Sequence, residues 1–481
     1  MVFSSITFLC VFLPVVILLY NVIKNHTAKN ILLIIASLLF YAYGEPVYVL
    51  LMVLCAFFNY LLAIQIEKVK SLAQGDETVS EDADNKATVK CNAKGLLILT
   101  VIVDIGILCI FKYLSMLVSL VNIVPNVRIA DPGIALPIGI SFFTFQAVSY
   151  VVDVYEGRVS ADKSFLNILL YISFFPQLIA GPIVKYHDID LEIKDRSVSI
   201  NDMADGIKRF IYGLSKKVLI ANTLGQAADY VYGLNSNELC ALSVWVGAIC
   251  YMLQIYFDFS GYSDMAIGLG RMFGFHFKEN FDYPYSAASI QEFWRRWHIS
   301  LTNWFREYVY IPLGGNRKGQ TRTWINRLFV FFLTGLWHGA NVTFILWGLF
   351  HGLFLTIETI FPKFTKKLGK LSRIYVLIVV CVGFVLFRSD NVSQAMTMIQ
   401  LMFTGFSIDA SRAVMLQGLF SGLLVFTLVI AIALAGGIFK KINKENGWYK
   451  KSEYVITVLL LILCMISLAG STYNPFIYFR F

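Results

Sequence analysis

The chain has 481 residues, of which 57% are hydrophobic and 15% are charged, and its formal net charge is +9. Together with a mean hydropathy of +0.67, this composition excludes an ordinary soluble globular protein. The excess of basic residues does not indicate nucleic-acid binding, because these residues lie beside apolar segments, as they do in the cytoplasmic loops of membrane proteins.

Apolar runs long enough to cross a bilayer recur along the whole chain. A spanning helix needs roughly 20 apolar residues, and suitable runs include Ile6–Val22, Val47–Ile66, Val342–Phe361 and Val414–Leu434. No positive side chain precedes the first run, so we predict a membrane span there and not a cleaved signal peptide. The sequence therefore predicts an all-α, polytopic helical membrane protein, with about ten to twelve membrane segments in a single domain over residues 1–481.

Residues 67–94 form the most polar insertion in the chain. Acidic residues such as Asp76 and Glu81 are mixed there with Lys86 and Lys90, and no apolar period is present. Such a composition buries too little apolar surface to become ordered. We predict a flexible cytoplasmic loop that carries no chemistry.

Two further segments depart from the pattern of simple spans. Ser141 and Thr144 share one face of the predicted helix Ile134–Val154, where polar side chains either brace a neighbouring helix or line a cavity. The segment Phe174–Ile183 carries two prolines and a glycine where a membrane segment is expected. A broken backbone is tolerated there only if protein or a water-filled cavity covers it, so this segment is either a re-entrant element or a proline kink.

Charged residues mark two other segments. Ile207–Val218 places lysines and an arginine around apolar positions, which predicts an amphipathic basic helix at the cytoplasmic interface. The segment Gln254–Asp264 contains the carboxylates of Asp258 and Asp264 after an apolar helix. Carboxylates within the membrane indicate function by default, whereas at the interface structural bracing explains them equally well.

The segment Phe293–His351 holds three of the six histidines and is predicted to be the catalytic core. From Arg271 to Arg327, nine basic residues oppose four acidic ones, and aromatic residues are interleaved with them. One interpretation is an interfacial helix anchored by anionic lipid. The other is a phosphate-rich ligand held by guanidinium groups, whose donors match phosphate oxygens. Coenzyme A fits the second interpretation, with Arg295, Arg296 and Arg317 as the candidate contacts to its phosphates.

His338 is the candidate general base. If both basic flanks of its segment lie in the cytoplasm, the entry limb Leu328–Trp337 has about ten residues and rises roughly 15 Å, which places the turn near mid-membrane. We expect Gly339 to permit the bend. A neutral imidazole there can take a proton from a hydroxyl, or the residue is a core histidine bonded to a neighbouring helix. His298 is a candidate for orienting the donor or assisting the base, or is an interfacial histidine, and His351 is expected to be structural.

At these motifs the chain resembles the membrane-bound O-acyltransferases, and in particular their alginate O-acetyltransferase-like bacterial subfamily. The resemblance covers nearly the whole chain, and the motifs are highly specific when they are taken together. They are Phe257–Ala266, Phe293–Leu301, Tyr310–Asn316, Gly335–Ala340 and the aromatic ending Pro475–Phe481.

The resemblance implies a funnel-shaped helical bundle in the bacterial inner membrane. It implies that His338 is catalytic, that His298 is the second signature histidine, and that acetyl-CoA is the donor substrate; no bound cofactor or metal is expected. The implied acceptor is a cell-envelope polysaccharide, reached through a separate extracytoplasmic hydrolase-like partner. Relatives that transfer D-alanine to teichoic acids take their donor from a carrier protein, and the residues do not exclude that branch.

We therefore predict an O-acetyltransferase in which His338 acts as general base on the attacking hydroxyl. No cysteine lies beside a histidine in these motifs, so a covalent acyl-cysteine is the less favoured route. The competing class is a polysaccharide or lipid transporter, in which the histidines relay protons. Membrane lipid is a partner in either case.

Overall fold

The computed structural model describes residues 1–74, 83–437 and 447–477 of the chain. Over these residues the secondary structure is entirely helical, which confirms the predicted fold class. Six of the described helices are long and apolar enough to cross a membrane, or seven if the bent pair Ala410–Leu419 and Gly422–Ala435 is one broken span. The predicted count of ten to twelve is not confirmed, because several apolar helices, such as His26–Ala42, have fewer than roughly 18 residues.

The chain divides into two compact units. Unit 1 comprises Met1–Ile207 and Ala266–Lys278, and unit 2 comprises Lys208–Met265 and Glu279–Phe481. Two helices contribute to both units, namely Ile200–Ser215 and Ala241–Met272. The assignment of a single acyltransferase domain stays a prediction.

Unit 1 begins with a π-helical turn, Phe8–Phe12, that continues directly into the first α-helix. Its further elements are α-helices of varied length. The α-helices that lie wholly in unit 1 are Leu13–Val22, His26–Ala42, Tyr48–Gln74, Ala83–Val121, Ile140–Glu156, Phe165–Ser173, Phe175–Leu178 and Tyr186–Lys194.

Most of the segment predicted as a polar loop is helical. The helix Tyr48–Gln74 extends past its apolar run, and the helix Ala83–Val121 begins well before the next run. The loop prediction was wrong for residues 67–74 and 83–94, because lysine, glutamate and alanine are good helix formers and continue these helices beyond their apolar parts. Residues 75–82 lie outside the described residues.

The polar helix Ile140–Glu156 and the proline-containing segment Phe174–Ile183 of unit 1 are internal. Ser141 Oγ accepts a hydrogen bond from Lys112 Nζ at 3.3 Å, and this bond between helices supports the bracing interpretation. The chain breaks between the helices Phe165–Ser173 and Phe175–Leu178, as predicted, and the Phe175 N–H donates to Ser37 Oγ at 3.0 Å. Residues 168–186 are all buried, so protein covers the freed backbone groups.

Unit 2 contains the segment that sequence analysis placed at the centre of the chemistry. It also includes π-helical turns at Lys216–Ala221 and Arg306–Tyr310 and a 3-10 turn at Pro284–Ser286. Its α-helices are Asn222–Tyr232, Ile290–Arg296, Ile299–Phe305, Gln320–His338, Val342–Ile360, Phe364–Leu368, Leu371–Arg388, Val392–Thr404, Ala410–Leu419, Gly422–Ala435 and Gly447–Gly470.

A helical hairpin in unit 2 carries His338. Its entry helix, Gln320–His338, and its return helix, Val342–Ile360, have 19 residues each, so each is about 28 Å long. The predicted entry limb from Leu328 was therefore too short, because the polar residues before it continue the helix and do not end it. The helix lengths therefore do not place His338 near mid-membrane. His338 lies instead at the end of the hairpin opposite to Gln320.

Three glycines allow the two helices of the hairpin to pack closely. A Cβ on Gly335 would overlap the backbone of Phe344, and a Cβ on Gly348 would overlap the carbonyl oxygen of Phe331. At the turn, Gly339 has a φ of −179°, an extended conformation that any residue adopts. A Cβ there would instead overlap the ring of Phe344. Gly339 is thus required for space and not for the bend that sequence analysis assigned to it.

Candidate active site

His298 lies in the turn between the helices Ile290–Arg296 and Ile299–Phe305. Its backbone is left-handed, with a φ of 45°, which costs a non-glycine residue about 1–2 kcal/mol. The residue is 1% exposed, and its Nδ1 lies 3.3 Å from Oδ1 of Asn280. Burial lowers the pKa of His298 from 6.5 to about 3, so the imidazole is neutral at pH 7.

Aromatic rings enclose the His298 imidazole. Ring-centroid distances are 4.5 Å to Phe259, 6.4 Å to Phe281 and 6.0 Å to Trp337. The rings of Phe259 and Trp337 meet the imidazole edge to face, the arrangement that aromatic pairs favour. The imidazole therefore lies in a water-poor environment, in which its hydrogen bonds are stronger than in water.

His338 is the last residue of the entry helix and is 8% exposed. The ring centroids of Trp337, Trp347 and Phe387 each lie 5.0 Å from the centroid of its imidazole. The three rings meet the imidazole edge to face, with interplanar angles of 76°, 90° and 80°. His338 also lies at the negative end of its helix dipole, which favours the positive charge that develops when an imidazole accepts a proton.

Trp337 connects the two histidines. Its ring contacts both imidazoles, with centroid distances of 6.0 Å to His298 and 5.0 Å to His338. The entry helix supplies Trp337 and His338 together, while the turn at His298 comes from a separate segment. The fold therefore brings together the two histidines that sequence analysis singled out.

His351 lies on the return helix, one turn from Trp347. It is 1% exposed, and its ring packs against Trp294 at 5.1 Å and Trp347 at 5.3 Å. Because Trp347 also contacts His338, the aromatic cluster is continuous from His351 to His338. This packing agrees with the structural role expected for His351, which stays a prediction.

The three candidate donor-binding arginines lie in different surroundings. Arg296 is engaged within the protein, since Nη2 pairs with Glu292 at 2.6 Å and Nη1 donates to Ser286 Oγ at 3.2 Å. Arg295 and Arg317 are exposed, and neither forms an ion pair with another described residue. Arg317 precedes the entry helix, whose length separates it from His338 by about 28 Å. The structure thus does not bring Arg317 and His338 together.

Exposed cations collect at the end of the hairpin opposite to His338. The antiparallel helices place the start of the entry helix beside the end of the return helix, where Arg327 donates to Thr359 Oγ1. At the same end, Glu358 accepts hydrogen bonds from the N–H groups of Ile290 and Gln291, at 2.7 and 3.0 Å. The helix with Arg295 therefore starts here and leads towards His298. We call the following exposed residues the basic end: Arg317, Arg322, Lys363, Lys366, Lys367 and Lys370.

Two ion pairs in unit 2 were not predicted from the sequence. Lys217 Nζ lies 3.0 Å from Asp258 Oδ1, with side chains 4% and 2% exposed, and Lys216 Nζ lies 2.5 Å from Asp264 Oδ2. The prediction of an interfacial helix was wrong for Lys217, because the π-helical turn directs both lysines towards carboxylates of the helix Ala241–Met272. The lysines and the carboxylates are both visible in the sequence as charged residues beside apolar ones. No local pattern, however, indicates that the two segments pair with each other.

The Lys217–Asp258 pair also holds the last described residues of the chain. Lys217 Nζ donates to the carbonyl oxygen of Pro475, and Asp258 Oδ2 accepts from the Ile477 N–H at 2.8 Å. Two buried charges are thereby satisfied by backbone groups as well as by each other. The rest of the predicted aromatic ending, residues 478–481, lies outside the described residues.

A family model for membrane-bound O-acyltransferases matches residues 39–396, a range that contains both histidines and the hairpin. The chain belongs to this family. It is 37% identical to the probable alginate O-acetylase of Pseudomonas putida over 100% of both chains. It is 31% identical to the peptidoglycan O-acetyltransferase of Helicobacter pylori over 100% of this chain and 98% of that protein. The teichoic acid D-alanyltransferase of Bacillus subtilis is 29% identical and matches 52% of this chain and 68% of that protein.

Membership in the membrane-bound O-acyltransferase family confirms the resemblance carried by the motifs. The protein is a multi-pass membrane enzyme that catalyses O-acyl transfer. Of the residues that surround the two histidines, sequence analysis identified none of Asn280, Trp347 and Phe387 as part of the site. No periodicity or spacing relates these three residues to the histidine motifs, so only the fold identifies them.

Proposed function

We propose that this O-acyltransferase transfers an acetyl group from cytoplasmic acetyl-CoA to a hydroxyl of an extracytoplasmic cell-envelope polysaccharide, with His338 as general base. One observation carries the proposal: His298 and His338 meet at Trp337 inside a buried aromatic cluster. Two relatives named as O-acetylating enzymes match the chain over its full length, whereas the D-alanyltransferase matches about half of it.

The chemistry follows from the surroundings of His338. Its imidazole takes the proton from the acceptor hydroxyl while the hydroxyl oxygen attacks the thioester carbonyl. The new C–O bond forms, the C–S bond breaks, and the proton passes to the thiolate of coenzyme A. The helix C-terminus stabilises the transient imidazolium. His298, which is neutral, assists by accepting or donating a hydrogen bond near the donor.

The donor is best accommodated along the hairpin. Its phosphates would bind at the basic end, where Arg317 is exposed, and Arg295 would contact it on the way to His298. Guanidinium groups suit this task because their planar donors match phosphate oxygens. Arg296 contributes indirectly, since Glu292 and Ser286 occupy its guanidinium. A donor with its phosphates at one end and its thioester at the other would have to extend along the entry helix, which is about 28 Å long.

The basic end also supports an orientation. Exposed lysines and arginines favour the cytoplasmic side of a membrane, so the opposite end of the hairpin, with His338, would face the outer side. We propose that the protein resides in the bacterial inner membrane. The acetyl group would then reach its polysaccharide through a separate extracytoplasmic hydrolase-like partner.

A transfer assay on reconstituted protein tests the proposal. The purified enzyme in lipid nanodiscs would receive acetyl-CoA labelled in the acetyl group, together with alginate or peptidoglycan fragments. We expect label to enter the polymer with wild-type protein and not with His338→Ala, which should elute as the same folded species on gel filtration. Equal transfer by both proteins would contradict the role of His338.

The same assay separates the alternatives. A D-alanyltransferase would leave acetyl-CoA intact and would transfer D-alanine from a charged carrier protein to teichoic acid. A polysaccharide or lipid transporter would consume neither donor. Transfer of label from acetyl-CoA to a polymer supports the proposal. If acetyl-CoA is not consumed with any of the acceptors and partner proteins offered, the proposal is overturned.

A further inference from the structure

The side-chain amide of Asn280 has one possible orientation. Asn280 is 1% exposed, and its Oδ1 accepts hydrogen bonds from the Ser300 N–H at 3.1 Å and the Ser300 hydroxyl at 2.9 Å. A backbone N–H can only donate, so the atom that faces it must be the amide oxygen. The amide nitrogen then points the other way, where it donates to Ser263 Oγ at 3.2 Å.

This orientation decides which nitrogen of His298 carries the proton. The Nδ1 of His298 lies 3.3 Å from the same Asn280 Oδ1. An amide oxygen accepts and cannot donate, so the contact is a hydrogen bond only if Nδ1 carries the hydrogen. A neutral imidazole has a single N–H group, and burial keeps His298 neutral by lowering its pKa to about 3. The Nε2 atom therefore carries the lone pair.

We propose that Asn280 is a positioning residue that fixes His298 in the Nδ1–H tautomer, so that Nε2 serves as the hydrogen-bond acceptor and base of this histidine. The proposal deepens the proposed acetyl transfer and rests on it for the catalytic use of Nε2. The tautomer itself does not depend on that function. Enzymes with catalytic histidines commonly use a partner at one ring nitrogen to set the chemistry of the other.

The backbone around His298 shows that Asn280 holds the whole turn and not only the ring. Its carbonyl oxygen accepts from the Ile299 N–H at 2.9 Å, next to the side-chain bond from the Ser300 N–H. These two N–H groups belong to the first turn of the helix Ile299–Phe305, whose donors have no partner within the helix. Asn280 thereby supports the left-handed conformation of His298, which is otherwise unfavourable.

The tautomer can be measured without an activity assay. In protein labelled with ¹⁵N-histidine and held in nanodiscs, the signals of His298 are assigned by their loss in His298→Gln. We expect a protonated Nδ1 and an unprotonated Nε2 at pH 7, and we expect this pattern to disappear in Asn280→Ala. An Nε2–H tautomer in the wild-type protein, or no change in Asn280→Ala, would overturn the proposal while leaving acetyl transfer untouched.

The pH dependence of transfer then separates positioning from simple support of the turn. Asn280→Asp keeps an acceptor for Nδ1–H but adds a negative charge, which stabilises the imidazolium and raises the pKa of His298. We expect the acid limb of the kcat profile to move to higher pH by at least about one unit, while Asn280→Ala lowers kcat without such a shift. Ser300→Ala removes one donor to the same oxygen and should keep the wild-type profile. An Asn280→Asp profile that coincides with the wild type would refute positioning by Asn280.

Discussion

His298 and His338 contact the same indole ring, that of Trp337, but they differ in their other neighbours. The first is a neutral imidazole with Nδ1 bonded to an amide oxygen, and the second is surrounded by three aromatic rings at a helix C-terminus. Burial disfavours positive charge on His298, whereas His338 lies at the negative end of a helix dipole, which favours it. Two titratable groups with such different neighbours are suited to different roles within one reaction step.

The two histidines should behave as a single catalytic unit. We expect His298→Gln and His338→Gln each to lower kcat/KM for acetyl transfer by about 10²- to 10⁴-fold. The double variant should be no worse than the more severe single variant, because either loss disables the same step. His276→Gln is a suitable control, since His276 is exposed and pairs with Glu192 in unit 1. Multiplicative losses in the double variant would indicate independent roles.

Arg317 and Arg296 should differ in their kinetic effects. Because Arg317 is exposed at the basic end, Arg317→Gln should raise KM for acetyl-CoA by about tenfold, as the loss of one charge-assisted hydrogen bond predicts, with kcat unchanged. Arg296→Gln breaks the pair with Glu292 and should lower thermal stability without a specific increase in KM. Steady-state kinetics and melting curves in detergent measure both effects. A selective increase in KM in Arg296→Gln alone would reverse the assignment.

Breaking the buried Lys217–Asp258 ion pair should strongly destabilise the folded protein. Lys217→Met leaves a buried carboxylate without its counterion, which typically costs about 3–5 kcal/mol. Lys217→Met with Asp258→Leu should recover part of this loss, because the second change removes the uncompensated charge. Unfolding in a denaturing detergent titration measures the difference. A double variant less stable than Lys217→Met would show that the ion pair contributes more than charge compensation.

The glycine contacts of the hairpin should make it intolerant of added volume. Gly348→Ala places a methyl group against the carbonyl oxygen of Phe331, and overpacking of this kind costs about 1–3 kcal/mol. Gly106→Ala is the matched control, because Gly106 also lies inside an apolar helix but has open space at its Cβ position. We expect the control to be neutral or slightly stabilised, since alanine favours the helix. Equal melting temperatures for the two variants would show that the hairpin can relax.

Stability should fall in mildly acidic solution because of His298. Its folded pKa of about 3 lies below its unfolded value of 6.5, so between these pH values the unfolded chain binds more protons. Stability therefore rises with pH from about 3 to 6.5, and at pH 5 the protein should lose about 2 kcal/mol relative to pH 7 through this residue. Melting curves of wild type and His298→Gln test this, and the variant should show the smaller pH dependence. Parallel curves for the two proteins would exclude His298 as the source.

Local composition was sufficient for the class of protein and for the interruptions in its spans. The helical character and the break at Phe174–Ile183 follow from runs of apolar side chains and from proline, and the structure confirms both. The start of the entry helix was predicted wrongly because the prediction also relied on apolar runs. Hydropathy marks where a segment becomes apolar and not where its helical hydrogen bonding begins. Arg322 and Asn326 are polar, yet they continue the helix.

By itself the sequence determined that this is a helical membrane protein of the O-acyltransferase family, with His298 and His338 as its candidate catalytic residues. Apolar runs and short motifs are properties of neighbouring residues, so they are visible without a fold. Only the tertiary structure decided that Lys217 belongs with Asp258 and that Asn280 belongs with His298. These bonds join residues from separate segments, and each depends on desolvation and on geometry within a few ångströms, which no local pattern encodes.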